Sequence, residues 1–234
     1  MKRFVCALLT LFLLTLSACG SDNPDYECTL TTYSQESGDS FIEIAYPVLT
    51  GDAVSGSLEE KIRGYVVDYM EQYLRYANAE GAYSYVIDDV TVTCRLPGLV
   101  SVLCAGSFTD ADSSYPETIV YTLNINPESA VIYNEFDDFI ADFDALADTF
   151  RSGGFTLESG VNDLLTKTNY TDMFIAYSDL YGIYPPLYVI DSGDGLRLGL
   201  SVELVYTLGG HAEFSIPLDE IDGAITDTLR SLIK

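Results

Sequence analysis

The sequence is poor in the residue types on which many kinds of active site depend. Its 234 residues include one histidine and no tryptophan, and 11 lysines and arginines stand against 36 aspartates and glutamates. A single histidine excludes sites that need two imidazoles, and no Cys-x-x-Cys spacing supports a zinc ribbon. The formal charge of −25 argues against the basic surface that nucleic-acid binding requires. We therefore expect no nucleic-acid partner, no bound metal and no cofactor.

Long apolar runs are also missing, apart from one at the N-terminus. Lys2 and Arg3 precede a mostly apolar stretch, residues 4–16, which is shorter than the roughly 20 residues that span a bilayer. Positive charge followed by a short apolar run is typical of a secretory signal. We therefore expect the chain to be exported.

The end of this run has the form of a bacterial lipobox: Leu16, Ser17, Ala18 and Cys19. Cleavage before the cysteine would leave Cys19 as a lipid-modified N-terminus, so residues 1–18 are predicted to be a lipoprotein signal peptide and residues 19–25 a tether. The mature chain loses two bases and no acid, so its formal charge goes from −25 to −27. We expect a lipid-anchored protein on the extracytoplasmic side of a membrane. An ordinary signal peptide with an incidental cysteine is the alternative.

Three cysteines remain in the predicted mature chain. Cys94 and Cys104 flank a Pro97-Gly98 turn, so a bridge across that hairpin is one expectation in an oxidising compartment. Cys28 paired with either of them is another. The third expectation is that all three cysteines are small, buried, free thiols.

The hydrophobic periodicity predicts strands and helices that interleave. Alternation of period two predicts a hairpin at residues 27–34 and 41–48, a meander from residue 83 to 133, and strands near 187–190, 196–206 and 212–216. Periodicity of three to four predicts helices over 57–78, 135–150 and 218–233, the first with a Ser57–Glu60 capping box. The aromatic stripe of that first helix is interpreted as a face packed on a sheet.

These elements predict an α+β fold, an antiparallel sheet meander with amphipathic helices packed on one side. Because no long linker interrupts the pattern, residues 26–234 are expected to form a single α+β extracytoplasmic domain. Two closely packed lobes that divide near residue 151 are the alternative.

Several segments resemble the extracytoplasmic domain of unknown function found in RsiV-type lysozyme-sensing anti-sigma factors and at the N-terminus of PdaC-type polysaccharide deacetylases. They are residues 41–47 (FIEIAYP), 99–102 (LVSV), 121–125 (YTLNI), 203–206 (ELVY) and 214–217 (FSIP). The resemblance implies an extracytoplasmic α+β domain that binds or senses a partner. Neither sigma-factor regulation nor deacetylation is implied, because this chain lacks the segments for them.

Four tyrosines near Pro185-Pro186 are candidates for partner binding: Tyr170, Tyr177, Tyr181 and Tyr184. Tyrosine suits recognition because it offers contact area and a hydroxyl at low entropy cost. The alternative is that these rings complete the core. The sequence contains no G-x-S-x-G motif, the nucleophile elbow with which a catalytic histidine would act. We therefore interpret His211 as an exposed residue at a turn or strand end.

The sequence thus favours a non-catalytic envelope protein over an enzyme. Its negative charge suits a cationic protein such as lysozyme, and a peptidoglycan fragment is a second expected ligand. A carboxylate-dependent envelope glycan hydrolase is the alternative, because any acidic chain contains pairs of carboxylates.

Overall fold

Two β-sheets and a small number of helices build the part of the chain that the structure describes. The computed structural model describes residues 25–79, 81–111, 115–159, 184–204 and 210–234. One sheet has six strands in sequence order: β1 (Glu27–Ser37), β2 (Ser40–Thr50), β3 (Tyr83–Leu96), β4 (Leu99–Asp110), β5 (Glu117–Asn126) and β6 (Val131–Tyr133). Its neighbours pair antiparallel, except β2 with β3. The predicted α+β class is therefore confirmed.

The single parallel pair follows from helix α1 (Leu58–Tyr76), which lies between β2 and β3 in sequence. A helix between two strands lets the chain cross over and return in the same direction. Its apolar positions Leu58, Ile62, Val66 and Met70 are buried, as the periodicity predicted. The predicted Ser57 cap is wrong, because that side chain makes no cap bond and instead lies 3.2 Å from the Ser55 hydroxyl.

The second sheet has four strands, in the spatial order β7, β10, β9, β8: β7 (Thr156–Ser159), β8 (Leu187–Asp191), β9 (Leu196–Leu204) and β10 (Gly210–Pro217). Within the described ranges, three short helices accompany it: α2 (Phe136–Phe139), α3 (Phe143–Arg151) and α4 (Asp227–Leu232). A 3-10 turn over Leu218–Ile221 follows β10.

Two hydrophobic clusters stabilise these layers. One lies between α1 and the six-stranded sheet and contains Ile44, Ile62, Tyr85 and Leu123. The other lies against the four-stranded sheet and its helices and contains Phe139, Phe150, Phe214 and Leu229. The boundary at about residue 151 does not separate these clusters, since Leu99 and α3 belong to the second one.

Two predicted helices are broken where they meet. The helix expected over 135–150 divides into α2 and α3, and the one expected over 218–233 divides into the 3-10 turn and α4. At the breaks, Ile140 and Ile225 form an isolated β-bridge and Ala141 donates to the Ala224 carbonyl. The apolar period runs through both breaks because apolar residues on either side of each break are buried in the same cluster, among them Phe139, Leu146, Ile221 and Leu229.

The three described cysteines are free thiols. In the β3–β4 register Cys94 faces Ser101 and Cys104 faces Val90, so the two cysteines are offset by three residues, about 10 Å along the strands. They also belong to different hydrophobic clusters. A disulfide needs Cα atoms within about 7 Å, so this geometry does not support the Cys94–Cys104 bridge.

Candidate functional site

A cleft of about 390 Å³ opens where the two sheets meet. It is bounded by α1, β5, the start of α2, the residues before β8, and the adjoining parts of β9 and β10. β8 is held against the larger sheet by side chains of β3, β4 and β5, and this contact fixes one wall.

That contact is a buried polar ladder along the outer edge of β8. Val189 donates its N–H to Ser101 Oγ (2.8 Å), and its carbonyl accepts from Thr93 Oγ1 (2.6 Å). Asn124 Nδ2 donates to the Leu187 carbonyl (2.8 Å), and Ser101 Oγ donates to Asn124 Oδ1. Backbone N–H and C=O groups on the outer edge of β8 therefore have hydrogen-bond partners inside the protein, as buried polar groups require.

Three tyrosines form one wall of the cleft. Tyr65 and Tyr69 lie four residues apart on α1 and therefore share a face, with ring centroids 6.5 Å apart. Tyr69 in turn contacts Tyr121 of β5 at 4.6 Å. Burial raises the pKa of all three hydroxyls, so these groups stay neutral.

The buried Tyr121 hydroxyl has no nitrogen or oxygen partner within the described ranges, and its polar neighbour is the weakly bonding thiol of Cys104.

Tyr184 also lines the cleft and is partly exposed, which places it at the rim. Its ring stacks on Phe136 (4.4 Å between centroids, 20° between planes) and meets the edge of Phe143 at 5.5 Å. The residue remains 41% exposed. Two other rings therefore hold Tyr184 in place while part of its surface stays open.

The charged groups that line the cleft in the described structure are carboxylates. Glu135 precedes α2 and Glu203 lies on β9, and no lysine or arginine is among the described lining residues. Burial raises the pKa of Glu203, and the negative charge of Glu117 raises it further. Glu117 itself accepts a hydrogen bond from the Tyr73 hydroxyl (2.8 Å). The cleft is therefore electronegative and aromatic.

A chain of polar side chains begins at the floor of the cleft with His211 and Ser201. The register pairs Glu213 of β10 with Ser201 of β9, so both project from the same face of the four-stranded sheet. Ser201 Oγ donates to Glu213 Oε1 (2.7 Å), and the Tyr188 hydroxyl donates to Glu213 Oε2 (2.7 Å). Because a hydroxyl has one hydrogen, His211 Nδ1, 3.0 Å from Ser201 Oγ, is the donor of that pair.

This order of donors is unlike that of a nucleophilic serine. The imidazole would have to accept the serine proton, whereas here it donates to the serine oxygen. Ser201 is also fully buried. His211 is not the exposed residue that the sequence suggested, since it is partly buried on β10 and burial lowers its pKa to about 4.

The structure describes only some of the candidate residues that the sequence predicted. Tyr184 lines the cleft. Tyr170, Tyr177 and Tyr181 lie outside the described residues, as do Leu16, Ser17, Ala18 and Cys19 of the lipobox. The remaining cleft residues were missed because they come from distant parts of the chain. A partial signal was available in Ser201 and Glu203, which are polar positions that alternate with apolar ones in the second half of β9.

Neither a candidate metal cluster nor a membrane-spanning helix is present among the described residues. No group of three or more histidine, cysteine or acidic side chains in those ranges has the arrangement of a metal site. No helix in the same ranges combines the length and apolar character needed to cross a bilayer.

Comparison with known proteins finds similarity in structure only. No protein-family model and no curated protein matches the chain. A DUF3298 family protein from Pseudomonas aeruginosa PAO1 has 14% sequence identity and a TM-score of 0.46, over 89% of this chain and 97% of that one. A member of the DUF3298 family from Bacteroides fragilis has 16% identity and a TM-score of 0.47, over 87% of this chain and 94% of that one. Both of these solved structures are DUF3298 family proteins, and the resemblance to RsiV-type and PdaC-type domains stays a prediction.

Proposed function

We propose that this protein is a non-catalytic, lipid-anchored envelope protein that binds a cationic protein, lysozyme being an example, through the tyrosine-lined cleft. The observation that carries the proposal is the composition of the cleft wall, which combines tyrosine rings with Glu135 and Glu203 and has no lysine or arginine among its described residues. Aromatic faces and carboxylates are the two groups that attract cationic side chains.

The charge of the whole chain supports the same class of partner. A formal charge of −25 attracts a basic protein over a distance set by the ionic strength, with a Debye length of about 30 Å at 0.01 M and about 8 Å at 0.15 M. The field speeds the encounter, and the cleft provides the contacts that hold the partner. The predicted lipid on Cys19 would keep the domain where extracellular basic proteins arrive.

Binding is tested with the purified full chain and a fluorescently labelled lysozyme, by anisotropy at low and physiological salt. We expect saturable binding that weakens at least tenfold between about 20 and 200 mM salt. Glu203→Gln should weaken it further than the matched control Glu220→Gln. Glu220 is exposed and lies beyond the C-terminal end of β10, whereas the cleft meets the N-terminal end.

Two results would contradict the proposal. One is no binding at low salt, and the other is equal loss in the two glutamine variants, which would indicate a general effect of charge. If the protein binds uncharged peptidoglycan fragments in place of lysozyme, and salt does not weaken that binding, then its ligand is a peptidoglycan fragment and not a cationic protein.

A glycan hydrolase is the second candidate, favoured by one observation. Glu117 and Glu203 are close enough for the charge of one to raise the pKa of the other. Glycoside hydrolysis uses two carboxyl groups, and a raised pKa suits the one that acts as the acid. Incubation with cell-wall glycan should then release new reducing ends, and Glu203→Gln should abolish the release. No product from the unmodified protein would exclude this function.

A further inference from the structure

We infer that the rim of the cleft selects the guanidinium group of arginine over the ammonium group of lysine. This rests on the proposed function, because it specifies which basic side chain of the partner enters the cleft. It is carried by Tyr184, a partly exposed ring that Phe136 and Phe143 hold in a cleft also lined by carboxylates.

The ring of Tyr184 is presented as a flat surface with little freedom to turn. Phe136 lies parallel to it at 4.4 Å, and Phe143 meets it edge-on at 5.5 Å. One face of the Tyr184 ring is therefore covered, and its 41% exposure leaves other surface for a ligand. A planar guanidinium stacks on such a face, whereas a compact, strongly hydrated ammonium gains less from it.

Two carboxylates line the same cleft as Tyr184, within the part of the chain that the structure describes. Glu135 directly precedes Phe136, the residue on which Tyr184 stacks, and both line the cleft with Tyr184. Glu203 lies on β9 in the same cleft. A guanidinium has five N–H donors in a rigid plane, so it can stack and bond a carboxylate at once. An ammonium at the same place acts only as a point charge.

The other groups that line the cleft favour a positively charged ligand that donates hydrogen bonds. The described residues of the cleft offer no positive side chain to compete for the carboxylates. The hydroxyls of Tyr65 and Tyr69 are neutral and partly desolvated. Partial exclusion of water strengthens contacts between charged groups and makes the shape of the cation matter more.

The inference is tested with two labelled peptides that alternate glycine with either arginine or lysine and carry equal charge. We expect the arginine peptide to bind the full chain roughly tenfold more tightly, as desolvated cation–π contacts and bidentate pairs allow. Tyr184→Leu should reduce arginine-peptide affinity to the level of the lysine peptide, and Tyr184→Phe should retain the preference. Tyr115→Leu is the matched control, since Tyr115 is 64% exposed and is not part of the cleft lining.

Each outcome separates the two hypotheses. Equal affinity for the two peptides, with Glu203→Gln weakening both, would overturn the arginine selectivity and leave the cationic site intact. Equal loss for both peptides in Tyr184→Leu, with an unchanged unfolding midpoint, would also overturn the selectivity. Failure of both peptides and of lysozyme to bind would overturn the proposed function itself.

Discussion

Gly199 shows at the residue scale how a missing side chain organises the polar face of the four-stranded sheet. A Cβ at this position would lie 2.5 Å from two ring atoms of Tyr188, because that ring crosses β9 directly above the glycine. The crossing brings the Tyr188 hydroxyl to Glu213, which in turn holds Ser201. One small residue thus permits the chain of hydrogen bonds that reaches His211 at the cleft floor.

We predict that Gly199→Ala lowers the free energy of unfolding by about 1–3 kcal/mol, the usual cost of overpacking. The added methyl group must displace the Tyr188 ring and with it the bond to Glu213. Urea unfolding of the full chain measures the change. The control is Gly64→Ala, where no atom would meet the added Cβ on helix α1 and a gain of about 0.5–1 kcal/mol is expected. Equal stability of the two variants would contradict the prediction.

The second residue-scale prediction concerns pH and His211. Burial lowers its pKa to about 4, whereas an unfolded histidine titrates near 6.5. Between these values the unfolded chain binds a proton that the folded chain does not, so stability is lost as pH falls from about 6.5 to 4. The shift corresponds to a loss of at most about 3 kcal/mol for this group.

The effect is isolated by comparison of the unmodified protein with His211→Gln between pH 7 and 4. Two carboxyl groups near His211, Glu203 and Glu213, have raised pKa values and act in the opposite direction, since the folded state protonates them first. They are common to both proteins, so the difference between the two unfolding curves reports the histidine. Parallel curves across this range would mean that His211 is not held neutral by the fold.

At the element scale, β8 depends on a partner sheet for the hydrogen bonds of its outer edge. Edge strands usually face solvent or are protected by charge, and β8 is instead bonded by Thr93, Ser101 and Asn124 of the larger sheet. The register of β3 shifts between Val92 and Cys94, which leaves Thr93 outside the regular β3–β4 pairing. Its hydroxyl lies 2.6 Å from the Val189 carbonyl.

We predict that Thr93→Val destabilises the protein by about 1–3 kcal/mol although it preserves shape and volume. The buried Val189 carbonyl would lose its 2.6 Å bond and keep the cost of desolvation. Thr91→Val is the matched control on the same strand, since Thr91 is exposed and its hydroxyl makes only a 3.4 Å bond to Asp89. Thermal unfolding measures the stability of both variants. If Thr91→Val destabilises the protein as much as Thr93→Val, the proposed role of the polar ladder is contradicted.

At the scale of the whole molecule, the excess of acids acts against the folded state. With 36 acidic and 11 basic residues, folding brings like charges together, and the described ion pairs are mostly exposed pairs of low value. The same excess gives the electronegative cleft its long-range field. Stability and partner capture should therefore respond to salt in opposite directions.

We predict that the unfolding midpoint rises when sodium chloride increases from about 10 to 200 mM, because screening weakens the internal repulsion. Lysozyme binding should weaken over the same range. Calorimetry of the unliganded full chain gives the first quantity and anisotropy the second. A midpoint that falls with salt would show that attractive pairs outweigh the repulsion.

Much of the fold follows from local pattern. Leu58, Ile62, Val66 and Met70 mark the buried face of α1, and alternation marks the β1–β2 hairpin and the β3–β4–β5 meander. Periodicity predicted the wrong helix bounds where backbone N–H groups donate to a distant segment of the chain. Ala141 and Asp142 donate to the Ala224 carbonyl, so a continuous helix expected over 135–150 becomes two. Periodicity cannot detect that break, because buried residues lie on both sides of it.

The amino-acid sequence by itself determined the acidic surface, the α+β class and the placement of most strands, since charge and periodicity are properties of neighbouring residues. Only the tertiary structure decided the cleft, because Tyr69, Tyr121, Tyr184 and Glu203 are far apart in the chain and are brought together by the meeting of two sheets. It also decided the state of Cys94 and Cys104, whose offset depends on the β3–β4 register and not on their spacing around Pro97-Gly98. Contacts between distant residues carry no local signature, and the candidate site consists of such contacts.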